Sequence, residues 1–120
     1  MAGKVSQTLL SIVRTDSTFH RVRARDGGEV WEGKCLHCNR KLVVELDGTA
    51  VARVTIEHIV PQSAGGSNDL LNLALACSRC NNKKGRQHDW KGLKDARAAE
   101  LIETLLAKRR ERWRDDDEQP

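Results

Sequence analysis

Two Cys-x-x-Cys pairs, Cys35-Leu36-His37-Cys38 and Cys77-Ser78-Arg79-Cys80, carry the clearest chemistry in this chain, with Glu57-His58 between them and Asn81 directly after the second pair. Four thiols in two clamps can surround one ion tetrahedrally, the arrangement zinc takes in closed structural sites. His58 offers the side-chain type whose unperturbed pKa lies closest to neutrality, so it can accept a proton at cellular pH. Glu57 and Asn81 offer a carboxylate and an amide oxygen, which suit a hard ion such as Mg²⁺ or Mn²⁺ better than a thiolate cage does. The composition of the site therefore asks for two metals, Zn²⁺ on sulfur and Mg²⁺ or Mn²⁺ on oxygen.

Two disulfides are the competing use of four cysteines, and they suit secreted chains. This chain opens MAGKVSQTLL, with no long apolar run to serve as a signal peptide or a membrane span, so a reducing cytoplasm and no membrane partner are expected. A redox Cys-x-x-Cys usually stands alone near a βαβ pattern, which is missing. The 120 residues fit one domain, read as an N-terminal helical segment (1–30), a zinc-supported core (31–88), a C-terminal helix (89–114) and an acidic tail (115–120). With one Phe, three Trp and no Tyr, the chain cannot build a large aromatic core, so zinc is expected to supply much of the folding energy.

Lys and Arg number 21 against 17 Asp and Glu, a net +4, but the distribution says more. Residues 77–97 carry seven cations against Asp89 and Asp95, a local +5 that abuts the metal site. Phosphate backbones favour such a stripe because neutralising them releases counterions; a solvated helix flank is the plainer reading.

The elements that must hold these residues follow from periodicity and turn chemistry. Val5, Leu9, Ile12 and Val13 recur at helical spacing, and Asp16-Ser17 can cap a second short helix that runs to Arg25 and stops at Asp26-Gly27-Gly28. Val30 to Gly33 reads as a strand leading into the first cysteine pair. Leu42–Leu46 and Ala50–Ile56 read as the arms of a hairpin about Asp47-Gly48. A polar loop spans 62–69, and Leu71–Ala76 is a second strand. Ser78 can cap a helix to about Lys84, with Gly85 ending it. From Leu93 to Trp113, Leu93, Ala96, Ile102, Leu105, Leu106, Arg109 and Trp113 fall near one face of an amphipathic helix, able to cover the core or to dimerise.

The segments TIEHIVPQSAGG and NDLLNLALACSRCNNKKG, in this order and behind a first cysteine pair, resemble the HNH endonucleases of the four-cysteine type over roughly Cys35 to Gly85. The resemblance implies an α+β fold: a small zinc-stapled ββα-metal core, treble-clef-like and of the His-Me finger kind, flanked here by N- and C-terminal helices. It implies His58 as the general base on the attacking water, Asn72 as a brace of the loop between the strands, and Asn81 as a ligand of the catalytic ion. Glu57 stands where many members carry a second ligand to that ion. Neighbouring side chains on a regular strand point to opposite faces, so Glu57 and His58 can share a site only if the strand ends or bulges there.

The expected function is a metal-dependent DNA endonuclease, nicking or cutting duplex DNA by direct attack of water, with 5′-phosphate and 3′-hydroxyl products implied by the resemblance. Arg79, Lys83, Lys84 and Arg86 are expected to meet phosphates, Arg79 nearest the scissile group. His20, His37 and His88 read as surface or packing residues. A noncatalytic zinc module that binds nucleic acid is the alternative, and a nuclease acting on RNA a third reading. The chain is expected to work as a monomer or homodimer.

Overall fold

Leu9, Ile12 and Val13 are the buried face of the first helix, α1 (Lys4–Arg14), whereas Val5, which shares their spacing, lies in the first turn and is exposed. The structure, a computed structural model, describes residues 3–116; the acidic tail expected over 115–120 lies outside them from residue 117 on. The second short helix expected to reach Arg25 is instead a strand. Asp16 spends its carboxylate on the amide and hydroxyl of Thr18, at 2.9 and 2.8 Å, which turns the chain rather than capping a helix. His20–Arg23 (β1) then pairs antiparallel with Glu29–Lys34 (β2), and Asp26-Gly27-Gly28 is the turn between them. Gly27 sits at φ +91°, a conformation that a glycine adopts freely.

The turn at Asp47-Gly48 forms as expected, with Gly48 N donating to Glu45 O at 2.9 Å, but its arms are not one hairpin. Lys41–Glu45 (β3) pairs with β2 to complete a three-stranded antiparallel sheet of order β1-β2-β3. After a single bridge between Val44 and Ala50 the chain leaves the sheet, with Ala52 at φ +55°. Val54–His58 (β4) pairs instead with Leu73–Cys77 (β5), whose five residues are all buried. A strand buried along its whole length needs a partner and cover on both faces, and that long-range demand outweighs the local hairpin signal.

The zinc-binding residues sit at the joins of these elements. Residues 35–40 form the turn between β2 and β3. Ser78–Gln87 (α2) starts directly at the end of β5 and runs past Gly85, which does not end it. Ala96–Glu111 (α3) is N-capped by Asp95, whose Oδ1 accepts from Ala98 N at 2.9 Å. Leu93 precedes this helix and is exposed. α3 covers the knuckle and β5: Ile102 and Leu105 pack with Leu36, Ile59 and Ala74.

Arg109, fully buried, fixes α3 in place by donating to Leu73 O (2.8 Å), Thr15 O (2.7 Å) and Thr15 Oγ1 (2.8 Å). Burial lowers its pKa below the usual arginine value, but three acceptors and nearby Asp16 keep the guanidinium in a favourable setting. The result is a small α+β molecule whose short antiparallel sheets and three helices converge on one cluster of thiols.

Candidate active site and metal centre

The four cysteine sulfurs lie within 4.8 Å of one another, with Cys38 Sγ and Cys77 Sγ 4.0 Å apart. A tetrahedral ZnS₄ centre with Zn–S bonds of about 2.3 Å needs sulfurs about 3.8 Å apart, so the cage fits zinc. Backbone bonds hold it ready. Leu36 N donates to Leu75 O at 3.1 Å, docking the knuckle on β5, and Cys77 N donates to Cys35 Sγ at 3.3 Å. Arg112 on the C-terminal side reaches the carbonyls of Lys34 and Cys35 and the side-chain oxygen of Asn39, tying the knuckle to the end of α3.

The thiols differ in acidity. Burial pushes Cys35 up, and burial together with its sulfur neighbours pushes Cys80 up strongly. Burial also acts upward on Cys38, but hydrogen bonds from Arg40 N and from the neighbouring thiols outweigh it and bring Cys38 down to about 7. Four thiolates gathered in one cage need a cation to share their charge.

β4 stays paired through its last residue, His58 opposite Leu73, with no bulge. Its side chains therefore alternate, and Glu57 and His58 leave the strand on opposite faces. This corrects the expectation that they share one pocket.

His58 faces α1. With Ile56, Asn68, Leu70 and Leu73 it lines a groove of 570 Å³ whose far wall is Lys4, Gln7, Thr8 and Ser11 of α1. His58 Nε2 lies 2.8 Å from Asn68 Oδ1. An amide oxygen only accepts, so this bond puts the proton on Nε2 and the lone pair on Nδ1. Sequence reasoning passed over Asn68 as a loop residue, and nothing local marks it: only the return of the 62–69 loop brings it over the imidazole.

Glu57 faces α2 and is 1% exposed. Its Oε1 lies 2.5 Å from His37 Nε2, and its Oε2 is 3.7 Å from Lys84 Nζ without accepting a hydrogen bond. His37, expected as a surface or packing residue, thus links the zinc knuckle to this carboxylate.

Lys84 was expected to meet phosphates. It is 2% exposed, and its ammonium contacts Asp89 Oδ1 at 2.7 Å and His58 O at 3.2 Å as well as Glu57. It is an internal cation, because three residues past Asn81 on a helix is the same inward face. Arg79, Lys83 and Arg86 recur at i, i+4 and i+7 and are exposed on the opposite face of α2.

Asn81 also points inward, its Nδ2 donating to Thr55 Oγ1 (3.1 Å) and Ile56 O (3.3 Å). That fixes the amide and leaves Oδ1 accepting no hydrogen bond among the described residues. Two oxygens without hydrogen-bond donors, Glu57 Oε2 and Asn81 Oδ1, therefore belong to the space between β4 and α2. As a donor set they suit a hard divalent ion, with Lys84 as a competing positive charge. Asn72 is buried and accepts from Val60 N at 2.8 Å while donating to Val60 O (3.1 Å) and Ser67 O (2.9 Å), which ties both ends of the 60–67 loop together.

No curated protein and no solved structure matches the chain. A protein-family model does: residues 35–87 match the HNH endonuclease model, a span that holds both cysteine pairs, Glu57, His58, Asn72 and Asn81. The match and the four-cysteine cage coincide: residues 35–87 are similar to the HNH endonuclease domain, and that segment contains all four thiols positioned to bind a metal ion.

Proposed function

We propose that this protein is a DNA endonuclease that hydrolyses phosphodiester bonds by direct attack of water, with His58 as the general base. The observation that carries the reading is the placement of His58 inside the family-matched segment. Its imidazole lines a groove of 570 Å³ and is oriented by Asn68 so that Nδ1 can take a proton. General-base help of this kind contributes about 10²–10⁴-fold in rate.

His58 ends β4, so a phosphodiester lying across the end of that strand meets the imidazole, with the buried Glu57 behind it on the other face of the strand. Glu57 and Asn81 are the residues that would hold Mg²⁺ or Mn²⁺, and such an ion would offset charge on the leaving oxygen. Arg79, Lys83 and Arg86 supply an exposed cationic face for the flanking backbone. Duplex DNA is the proposed substrate, and the cytoplasm, where thiols stay reduced for zinc, the proposed compartment.

One observation favours a second reading, a noncatalytic zinc module that binds nucleic acid. The Glu57 carboxylate already has His37 and Lys84 beside it, which lessens its need for a divalent ion. The two readings part on wild-type protein incubated with supercoiled plasmid and with structured RNA at matched salt, in Mg²⁺, Mn²⁺ or added Zn²⁺. Relaxation of plasmid in Mg²⁺ or Mn²⁺, with RNA spared, is the expected result. RNA cleavage with intact plasmid would move the substrate to RNA, and no cleavage in any ion would leave the binding module.

A further inference from the structure

Trp90 lies beyond the family-matched segment and is 73% exposed, whereas Trp31 is buried at 5%. An indole this exposed leaves its ring open to a partner. It is nonetheless held. Trp90 Nε1 donates to Arg86 O at 2.8 Å, fixing one edge of the ring to the last turn of α2, and Lys91 Nζ lies 5.7 Å from the ring centroid.

The short turn that carries it, Asp89–Lys91, is itself anchored to the site. The buried Lys84 ammonium touches both Asp89 Oδ1 and His58 O, and the turn at Gln62–Ala64, just past the end of β4, packs against residues 89–91. Arg86, whose carbonyl holds the indole, is itself exposed, and Lys94 is a further exposed cation four residues along the chain from Trp90. A fixed aromatic face among cations complements a strand that carries phosphates and presents flat bases.

We propose that Trp90 is a stacking platform for an unpaired base of the nucleic-acid strand held at the site, with Arg86, Lys91 and Lys94 on the neighbouring phosphates. The inference rests on the reading that the partner is nucleic acid, and not on hydrolysis. Bases inside an intact duplex are already stacked, so the platform selects single-stranded or opened segments.

The test is binding by the full-length, zinc-loaded chain to a fluorescein-labelled oligo-dT and to an intact duplex of equal length, at one salt concentration with no divalent ion added. Stacking on one aromatic residue is worth roughly 1–3 kcal/mol per base, so Trp90→Ala should weaken oligo-dT binding about 5- to 150-fold. Trp90→Phe should keep most of the affinity, duplex binding should change less than about twofold, and oligo-dT should quench tryptophan emission in the wild type but not in Trp90→Ala. Unchanged oligo-dT affinity would overturn the proposal, as would an equal loss on duplex and single strand. Loss of self-association in sedimentation with unchanged oligonucleotide binding would assign the indole to a protein contact and also overturn it. Trp90-dependent binding without plasmid cleavage would reject hydrolysis and keep this inference; cleavage without such binding would do the reverse.

Discussion

Glu57 and His58 are adjacent in sequence and separated in space, and strand geometry is the whole reason. The alternation was legible in the sequence as a difficulty, and a β4 paired through His58 resolves it by giving each residue its own face. Lys84 was the opposite case. Its type said surface, but its place three residues after Asn81 said interior, and the interior won because Glu57, Asp89 and His58 O supply acceptors for a buried ammonium. Removing one partner of a buried charge pair leaves the other uncompensated, so Lys84→Met should destabilise the fold by about 3–5 kcal/mol in denaturant unfolding. Exposed Lys83→Ala should stay within about 0.5 kcal/mol of wild type. It should instead lower the slope of log affinity for DNA against log salt by about 0.9, the signature of one lost phosphate contact. Equal stability losses in the two variants would contradict the inward placement of Lys84.

Loops and strands were harder to read than helices. The face of α1 and most of α3 followed from periodicity, because an amphipathic helix shows its buried side in local sequence. β1 was missed because Asp16 has the composition of a helix cap and the geometry of a turn. The partner of β4 was missed because pairing with β5 is a long-range choice that Asp47-Gly48 does not reveal. The loop after β4 shows what local chemistry does settle. Gly65 adopts φ +87° with open space around it, whereas Gly66 is needed for room, since a Cβ there would run into Val60 O and the Val60–Pro61 backbone. Gly66→Ala should therefore push the loop off the end of β4 and take Asn68 away from His58. The checks are loss of protection at the amide of Val60 in hydrogen exchange and a fall in nicking rate of at least about tenfold, with zinc content retained. An unaltered rate would mean that the 62–69 loop does not set the imidazole.

At the scale of the molecule, the cysteine spacing was the most informative part of the sequence, because two Cys-x-x-Cys pairs constrain the fold as well as the metal. The cage joins the β2–β3 turn to the start of α2, while Arg112 ties the end of α3 to that turn and Arg109 ties α3 to the start of β5. Structural zinc in such a scaffold is folding free energy, so stripping it with a strong chelator, or Cys35→Ser, should abolish the cooperative melt. A metal-free sample that still melts cooperatively at the wild-type temperature would show that the apolar clusters suffice alone. The central claim concerns one imidazole in a groove that this scaffold holds open. Its most direct test is the initial rate of supercoiled plasmid nicking by His58→Ala beside wild type, at equal zinc content and equal thermal stability. The account predicts a loss of at least about 10²-fold; nicking at the wild-type rate would contradict it.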